Sequence, residues 1–277
     1  MRSRAVRASF THLPALRLQA EIRPSPPTEF PVHRFLFGLS LLSALAAPAF
    51  AWTVDELVAR NLEARGGLAA LRAVQSVKAS GQLNFSQGDF SIDLSFVNMN
   101  ERAARVRSEA GLQGLTQVTA FDGREAWRID PFQGRRDPER LSDEDRKDLE
   151  LQADIDGPLV DWQQKGHRVE YLGTEEMDGT EAHKLKLTLK NGDIQYRLLD
   201  PDHFLEILVI DQVKRRGIER ETETELGNYE KVAGVYWPFA QASGPKGGQR
   251  NQKITFDKLE VNVEIDDALF AFPVAKP

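Results

Sequence analysis

Two long adjacent segments in which apolar and polar residues strictly alternate constrain this chain most. From Val77 to Phe85 every second residue is apolar or small, and the residues between them are polar. The pattern resumes from Phe90 to Phe96 after the turn residues Gln87-Gly88. A side-chain period of two is that of a strand with one buried face and one solvated face. The two segments therefore predict a long antiparallel hairpin.

The same alternation, separated by turn signals, continues through most of the chain. Asp122-Gly123, Asp178-Gly179 and Asn191-Gly192 mark turns, and Asn-Gly is the strongest short hairpin signal. Further strands are predicted at residues 103–109, 116–121, 125–129, 167–172, 182–189, 194–198, 204–212, 218–229, 235–240 and 253–265. Because nearly all strands are consecutive, without a repeated strand-helix-strand order, the sequence predicts a mainly β fold with one curved antiparallel sheet.

Short helices are predicted before the first strand. Thr53 and Glu56 form a capping box that starts a helix, Gly66-Gly67 ends it, and a further helical turn follows at residues 68–74. Many of the strands run nine residues or more, about 30 Å at about 3.3 Å per residue, so the sheet must curl. Short helices cannot fill the concave face of such a sheet tightly, which predicts a cavity there.

A polar stretch, residues 131–150, is expected to interrupt the sheet. Ser142 starts a helix within it, and Pro158 starts a second short helix that ends at Gly166. We expect this central insertion, Ser142 to Gly166, to cover the concave face as a lid.

The amino-terminal part of the chain has the pattern of an export signal. The basic pair His33-Arg34 precedes the apolar run from Phe35 to Ala47, and Pro48-Ala49-Phe50-Ala51 supplies small residues for signal peptidase. The apolar run has about a dozen residues, fewer than the roughly 20 of a spanning helix. We expect residues 1–51 to be an amino-terminal extension plus a removed signal peptide, and residues 52–277 to form a single domain.

Charge and cysteine content narrow the possible partners and compartments. Residues 52–277 carry 30 Lys and Arg against 40 Asp and Glu, a net charge of −10. An acidic chain repels nucleic acid and is not expected to dock electrostatically on anionic membranes. The chain has no cysteine, which excludes disulfides and a lipid anchor on cysteine. Together with the export signal, this predicts the periplasm, with the exterior of a Gram-positive cell as the alternative. Residues 1–31 precede an ordinary signal, so we also consider a translation start at Val32.

The sequence offers no catalytic constellation. His167, His183 and His203 are the histidines after residue 51, and they fall in separate predicted strands or turns. No zinc motif, nucleophile elbow or phosphate-binding loop is present, so we predict no enzyme, no metal and no cofactor. The basic run Lys214-Arg215-Arg216-Gly217 is interpreted as a solvated hairpin tip.

Apolar side chains are the candidates for ligand contact, either in the cavity or in its lid. Each of them is also typical of an ordinary β core. The candidates are Phe85, Phe90, Ile92, Leu94, Phe96, Trp127, Leu159, Trp162, Leu187, Tyr196 and Leu198.

Several segments resemble one known superfamily. They are Leu57 to Leu71 around Arg65-Gly66-Gly67, Ala153 to Asp161, Lys165 to Glu170, Lys184 to Leu189 before Asn191-Gly192-Asp193, and Ile265 to Pro273. On these segments the chain resembles the LolA/LolB-like superfamily of outer-membrane lipoprotein-sorting proteins. The resemblance implies an incomplete β-barrel of about 11 antiparallel strands, with helices over its concave face and an apolar cavity between. In characterised members lipoprotein acyl chains occupy that cavity, whereas related members carry other lipids or sense envelope stress.

The resemblance implies that residues 52–277 form a lipid-binding domain. We consider three functions, of which the resemblance implies the first two, in decreasing order of support. The first is a monomeric periplasmic carrier that takes acyl chains of a lipid or lipoprotein from an inner-membrane donor to an outer-membrane acceptor. The second is an envelope sensor or protein-binding module on the same fold, without transport. The third is an unrecognised hydrolase, which lacks support because no nucleophile-base pair is present.

Overall fold

Most of the described chain is β-strand. The computed structural model describes residues 52–273, so the predicted signal segment, residues 1–51, lies outside the described residues. Within residues 52–273 there are three α-helices, α1 (Val54–Ala64), α2 (Leu68–Ala73) and α3 (Asp143–Gln152), with 3-10 turns at Pro131–Gln133 and Asp267–Leu269. The strands are β1 (Ser76–Gln87), β2 (Phe90–Glu101), β3 (Arg105–Leu112), β4 (Leu115–Phe121), β5 (Ala126–Asp130), β6 (Arg135–Arg140), β7 (Arg168–Met177), β8 (Thr180–Thr188), β9 (Ile194–Leu199), β10 (Glu206–Arg215), β11 (Ile218–Val232), β12 (Val235–Pro245) and β13 (Gln252–Val261).

The thirteen strands of the described part of the chain form one open antiparallel sheet, in the order β6-β5-β4-β3-β2-β1-β13-β12-β11-β10-β9-β8-β7. Two consecutive meanders are joined where β1 pairs with β13, from Val77 opposite Val261 to Phe85 opposite Gln252. The prediction of a mainly β fold with a single antiparallel sheet is confirmed, with 13 strands rather than about 11. The long hairpin is confirmed as β1 and β2, in which Phe85 lies opposite Ile92.

The three helices pack on one face of the sheet, which we call the inner face. Each helix shares a buried cluster with different strands, so the helices divide the face between them. The representative pairs are Leu57 of α1 with Leu187 of β8, Leu71 of α2 with Val77 of β1, and Leu149 of α3 with Val106 of β3. Thr53 caps α1 as predicted, with both hydrogen bonds of the capping box formed.

The contacts of α3 show that the sheet curls. The helix lies against β3 and β4, and its Asp148 binds Arg215 at the end of β10. Strands β4 and β10 are seven positions apart in the sheet, about 34 Å if the sheet were flat. A helix about 10 Å wide can reach both only if the sheet bends around it. The inner face is therefore concave.

The loop between α1 and α2 comes very close to the turn between β11 and β12. The amide of Tyr236 donates a hydrogen bond to the carbonyl oxygen of Arg65 (2.9 Å). A Cβ atom at Gly66 would lie 2.1 Å from the carbonyl oxygen of Gly234. Because no side chain fits in that gap, glycine at residue 66 allows the helices to settle on the sheet.

The opposite face, which we call the outer face, carries its own core. After β13 the chain crosses this face of β2 to β5, and Phe270 is fully buried there. The Trp127 indole Nε1 donates to the Phe270 carbonyl oxygen at 2.7 Å. In the half of the sheet formed by β8 to β10, Leu198 and Ile210 belong to a second cluster on the outer face. Both faces of the sheet are thus partly buried.

Two expectations about the central insertion were wrong. Residues 135–140 do not leave the sheet but form its edge strand β6. The segment from Pro158 to Gly166 is a series of turns, not a helix. Asp161 explains the second difference, because it has a positive φ of 51° and both of its carboxylate oxygens accept hydrogen bonds from Arg72 (3.0 Å each). Between residues 52 and 273, no helix is long and apolar enough to cross a membrane.

Candidate ligand-binding site

A cavity of about 620 Å³ lies between the inner face and the connection from β6 to β7. Strands β1, β2 and β9 to β13 supply one side of it, and residues between Asp148 and Pro158 supply the other. The predicted lid segment, Ser142–Gly166, therefore covers the inner face where a cavity was expected. The volume is in the range of about 300–1,000 Å³ typical of small-molecule sites.

One wall of the cavity is apolar. It is formed near the centre of the sheet by Val77 and Ala79 of β1 and by Phe256 and Leu259 of β13, with Ile155 of the lid segment facing them. These strands meet at the β1–β13 pairing, so the apolar wall belongs to the middle of the sheet.

The opposite wall carries Gln195, Arg197, Glu206 and Asp211, with Val209 and Val213 of β10 among them, and we call it the polar wall. Arg197 donates to Glu206 Oε2 (2.6 Å) and to Gln195 Oε1 (3.0 Å), and Gln195 Nε2 donates to Asp211 Oδ1 (2.7 Å). The Nε of Arg197 is buried and has no hydrogen-bond partner among the described residues. The wall is therefore an ordered polar surface with one donor left for a further acceptor.

Asp211 is the carboxylate of this wall that lacks an ion pair among residues 52–273. Burial raises the pKa of Asp211 above its ordinary value, although the charge of Arg197 and the hydrogen bond from Gln195 oppose that shift. Nearby, the hydroxyl of Tyr229 donates to the Glu206 carbonyl oxygen (2.7 Å), and burial raises the pKa of Tyr229. A carboxylate that is destabilised by burial favours a ligand group that donates hydrogen bonds to it.

The lid segment is held over the cavity by Arg102, at the end of β2. Its guanidinium binds both carboxylate oxygens of Asp156 (2.8 Å each) and donates to the carbonyl oxygen of Leu71 (2.8 Å). Arg65 donates to the Asp156 carbonyl oxygen (2.8 Å). Burial raises the pKa of Asp156, but the hydrogen bonds and charge of Arg102 lower it more, so the carboxyl group titrates below its ordinary range.

The basic run Lys214 to Gly217 is a second attachment of the lid segment, and its interpretation as a solvated tip was wrong for Arg215. That side chain is only 6% exposed, and it binds both oxygens of the buried Asp193 (2.8 Å each) and Asp148 of α3. The neighbouring Arg216 is 69% exposed and pairs with Asp145 (2.6 Å). This attachment was not predicted from the sequence, because the two partners in the lid segment, Asp148 and Asp145, lie about 70 residues before Arg215 and Arg216.

None of the eleven candidate residues lines the cavity itself. Leu159, Trp162 and Leu187 belong to the core cluster under α1, or pack against it. Trp127, Tyr196 and Leu198 belong to the outer-face clusters, so these three lie on the wrong side of the sheet for the cavity.

The other five candidates lie on the inner face, beyond the lid segment. The register of β1, β2 and β13 places them in one row with Leu83 and Ile254, and we call this row the apolar stripe: Leu83, Phe85, Ile92, Leu94, Phe96 and Ile254, ending at Phe90. The rings of Phe96 and Phe256 are 6.1 Å apart, which connects the stripe to the cavity. Contact of these residues with a ligand stays a prediction.

His183 is part of the inner core and has a structural environment. Its Nδ1 lies 3.0 Å from the hydroxyl of Tyr171, its ring stacks on Phe204 (centroids 5.8 Å apart), and burial lowers its pKa. No group of three or more His, Asp or Glu side chains able to hold a metal ion occurs in residues 52–273.

Comparison with known proteins gives similarity at the level of fold. No family model matches the chain, and no curated protein matches it. Three solved structures resemble it over most of its length. They are a DUF1329 family protein from Desulfovibrio piger (13% identity, 79% of this chain and 97% of that chain, TM-score 0.55), a LolA superfamily protein from Nitrosomonas europaea (13%, 80% and 98%, 0.54) and an outer membrane lipoprotein-sorting protein domain from Vibrio parahaemolyticus (12%, 77% and 97%, 0.51).

These likenesses agree with the features described above. An open antiparallel sheet curls around helices on its concave face, and a cavity lies between the sheet and the segment that crosses it. At 12–13% identity the comparison concerns architecture and transfers no residue role. The chain has the LolA-like fold.

Proposed function

We propose that this protein is a non-enzymatic carrier of an amphipathic lipid, with the acyl chain on the inner face of the half-barrel. The observation that carries the proposal is the apolar stripe, which leads from the cavity to an open end of the sheet. Phe85, Ile92 and Phe96 are only partly buried along it, so they present apolar surface to a ligand. Burying a hydrocarbon chain there is favourable by about 0.8 kcal/mol per methylene.

The polar wall argues for a ligand that also has a polar head. A purely hydrocarbon ligand in the cavity would leave Asp211 with its single hydrogen bond from Gln195 and no opposite charge, and the Nε of Arg197 with no acceptor, at the cost of their desolvation. A head group with both hydrogen-bond donors and acceptors satisfies both residues. We therefore assign the acyl chain to the apolar stripe and the head to the polar wall.

Release of such a ligand requires the lid segment to move. Arg102 and Arg215 hold it by ion pairs at two separate places, to Asp156 and to Asp148, which both lie in the lid segment. We propose that opening at these contacts admits the lipid from a donor membrane and delivers it to an acceptor. In the same proposal the protein works in the periplasm after removal of residues 1–51. Sequencing of the processed protein should then begin at Trp52.

Native mass spectrometry of protein purified from envelope extract tests the proposal. We expect co-purifying acyl lipid, which is lost in Phe96→Ser because this side chain lies on the apolar stripe. Val97→Ser is the matched control, since Val97 is the next residue and is also half-buried but lies on the outer face. Folded wild-type protein that carries no lipid and takes up none from vesicles would contradict the proposal, as would equal loss in both variants.

A further inference from the structure

The antiparallel order brings six hairpin turns to the same end of the sheet. We call this end the hairpin rim; it consists of the turns β1–β2, β3–β4, β5–β6, β8–β9, β10–β11 and β12–β13. The remaining hairpin turns, β2–β3, β4–β5, β7–β8, β9–β10 and β11–β12, lie at the opposite end. The two ends differ in both apolar exposure and charge.

Exposed large apolar side chains concentrate on the hairpin rim. Of the six such residues in the described chain, four lie there, each in or beside a different turn: Phe90 (56% exposed), Leu115 (38%), Phe132 (39%) and Ile218 (59%). The other two, Leu172 and Leu269, lie in edge strand β7 and in the carboxyl-terminal segment. Single exposed apolar side chains are ordinary on a protein surface, so the informative feature is that four of these six lie at the same end of the sheet.

The strand register brings the apolar turns to one level. When the paired residues are traced from strand to strand, Leu115 lies level with Leu226 of β11. Ile218 is therefore eight residues nearer the rim end of the sheet than Leu115, or about 26 Å at about 3.3 Å per residue. The two residues are six strand positions apart, or about 29 Å at about 4.8 Å per position. That slope, about 42°, matches the 35–45° tilt of strands in barrels, so a flat surface can touch both turns.

The rim surrounds the open end of the proposed lipid path. By the alternation of the paired strands, Phe90, Leu115 and Ile218 all belong to the inner face. Phe90 ends the apolar stripe, and a second depression between β11 and β12 shares Thr222 with the main cavity. Contact at the rim would therefore place the path directly against whatever covers the rim.

Charge is distributed unevenly between the two ends, although the whole chain is acidic. Counted over each turn and two residues on either side, the hairpin rim has nine Lys and Arg against four Asp and Glu, a net charge of +5. The same count at the opposite end gives four against nine, a net charge of −5.

Several rim cations, including Arg215 and Arg250, pair with carboxylates behind them. Arg136, Lys190 and Lys253 have no carboxylate within 4.0 Å among residues 52–273. These three cations remain available at the rim for an anionic surface.

We propose that the hairpin rim docks on the surface of an anionic lipid bilayer, inserting its apolar turns between head groups. The apolar residues are single side chains on separate turns, so a protein partner would need a separate pocket for each. A fluid membrane interface accepts them without any preformed shape, and basic residues beside them match anionic head groups. Docking in this orientation goes beyond carriage, because it requires no cargo and no opening of the lid segment.

Co-sedimentation with vesicles tests the docking surface. The protein from Trp52 onward is suitable, because it carries every described strand and helix within one compact unit and lacks the apolar run of the signal. We expect binding to phosphatidylethanolamine–phosphatidylglycerol vesicles that falls at least tenfold in the triple variant Phe90→Ser, Leu115→Ser, Ile218→Ser. The control Leu172→Ser removes one comparably exposed apolar side chain (50%) away from the rim and should bind as wild type.

Orientation on the vesicle is measured with an environment-sensitive dye, which the cysteine-free chain allows at a single chosen position. Attached at Gln87→Cys on the rim, the dye should shift to shorter emission wavelengths on vesicle binding, whereas at Glu181→Cys, at the opposite end, it should not. Equal binding of the triple variant and wild type, or equal dye shifts at both ends, would overturn the docking proposal. Wild-type protein that co-purifies with lipid but does not sediment with vesicles would also overturn the docking proposal while leaving the carrier proposal standing, so the two proposals fail separately.

Discussion

Replacing Arg215 with methionine is expected to destabilise the protein strongly, because this guanidinium neutralises a buried carboxylate. Arg215 and Asp193 are only 6% and 7% exposed and share two hydrogen bonds of 2.8 Å. Removing one partner of a buried ion pair typically costs about 3–5 kcal/mol, since the remaining charge stays in a poorly solvated site. At about 2–4 °C per kcal/mol for a chain of this size, the melting temperature should fall by roughly 6–20 °C.

Urea unfolding of three variants measures this effect and separates it from general disturbance of the hairpin. Arg216→Met is the matched control, because its side chain is 69% exposed and its pair with Asp145 should contribute less than about 1 kcal/mol. The double variant Arg215→Met, Asp193→Asn removes both charges and should recover more than half of the lost free energy. Equal losses for Arg215→Met and Arg216→Met, or no recovery in the double variant, would refute the reasoning.

Three further predictions concern the lid segment, the polar wall and the inner core. The ion pair with Arg102 lowers the pKa of Asp156, so the stability that this pair contributes is fully present above the unfolded pKa of about 3.9 and is lost as pH falls through the folded pKa. The difference in unfolding free energy between wild type and Asp156→Asn should therefore shrink from pH 6 to pH 3. Burial raises the pKa of Asp211, so the cost of its charge appears only as pH rises above the unfolded pKa of about 3.9. Asp211→Asn should therefore unfold at a higher urea concentration than wild type at pH 7 but not at pH 3. A lower urea midpoint for the variant than for wild type at pH 7 would contradict this prediction. Leu187→Ala should cost about 2–5 kcal/mol in urea unfolding, because Leu187 is fully buried; a loss below about 1 kcal/mol would indicate a loosely packed inner core.

The local alternation of residues and the turn signals were sufficient to predict most strands of the sheet. The turns at Asp122-Gly123, Asp178-Gly179 and Asn191-Gly192 join consecutive strands as predicted, because their residues supply the backbone angles that a reversal needs. Edge strand β6, Arg135–Arg140, was missed for a physical reason. None of its residues is buried, so the sequence has no alternation of apolar and polar residues there. The strand is defined by its backbone pairing with β5, which the sequence pattern does not reveal.

The composition of the cavity depends on which face each strand residue takes, and alternation alone does not decide it. In β9 the apolar Tyr196 and Leu198 suggested the inner face, but Gln195 and Arg197 lie there instead. Leu198 and Gln195 are both buried, so the strand has no clearly solvated side from which its orientation follows. The polar wall therefore became visible only from the register between distant strands.

Pairing between β1 and β13 makes the middle of the sheet dependent on the two ends of the described chain. Val77 and Val261, which lie opposite each other, are 184 residues apart in sequence. A polypeptide that emerges amino-terminus first can form each meander alone, but it cannot join them until its last strand is available. Premature termination before β13 would leave two separate half-sheets with unpaired edges on β1 and β12. Such a truncated chain should aggregate through these edges and should not form a smaller functional domain.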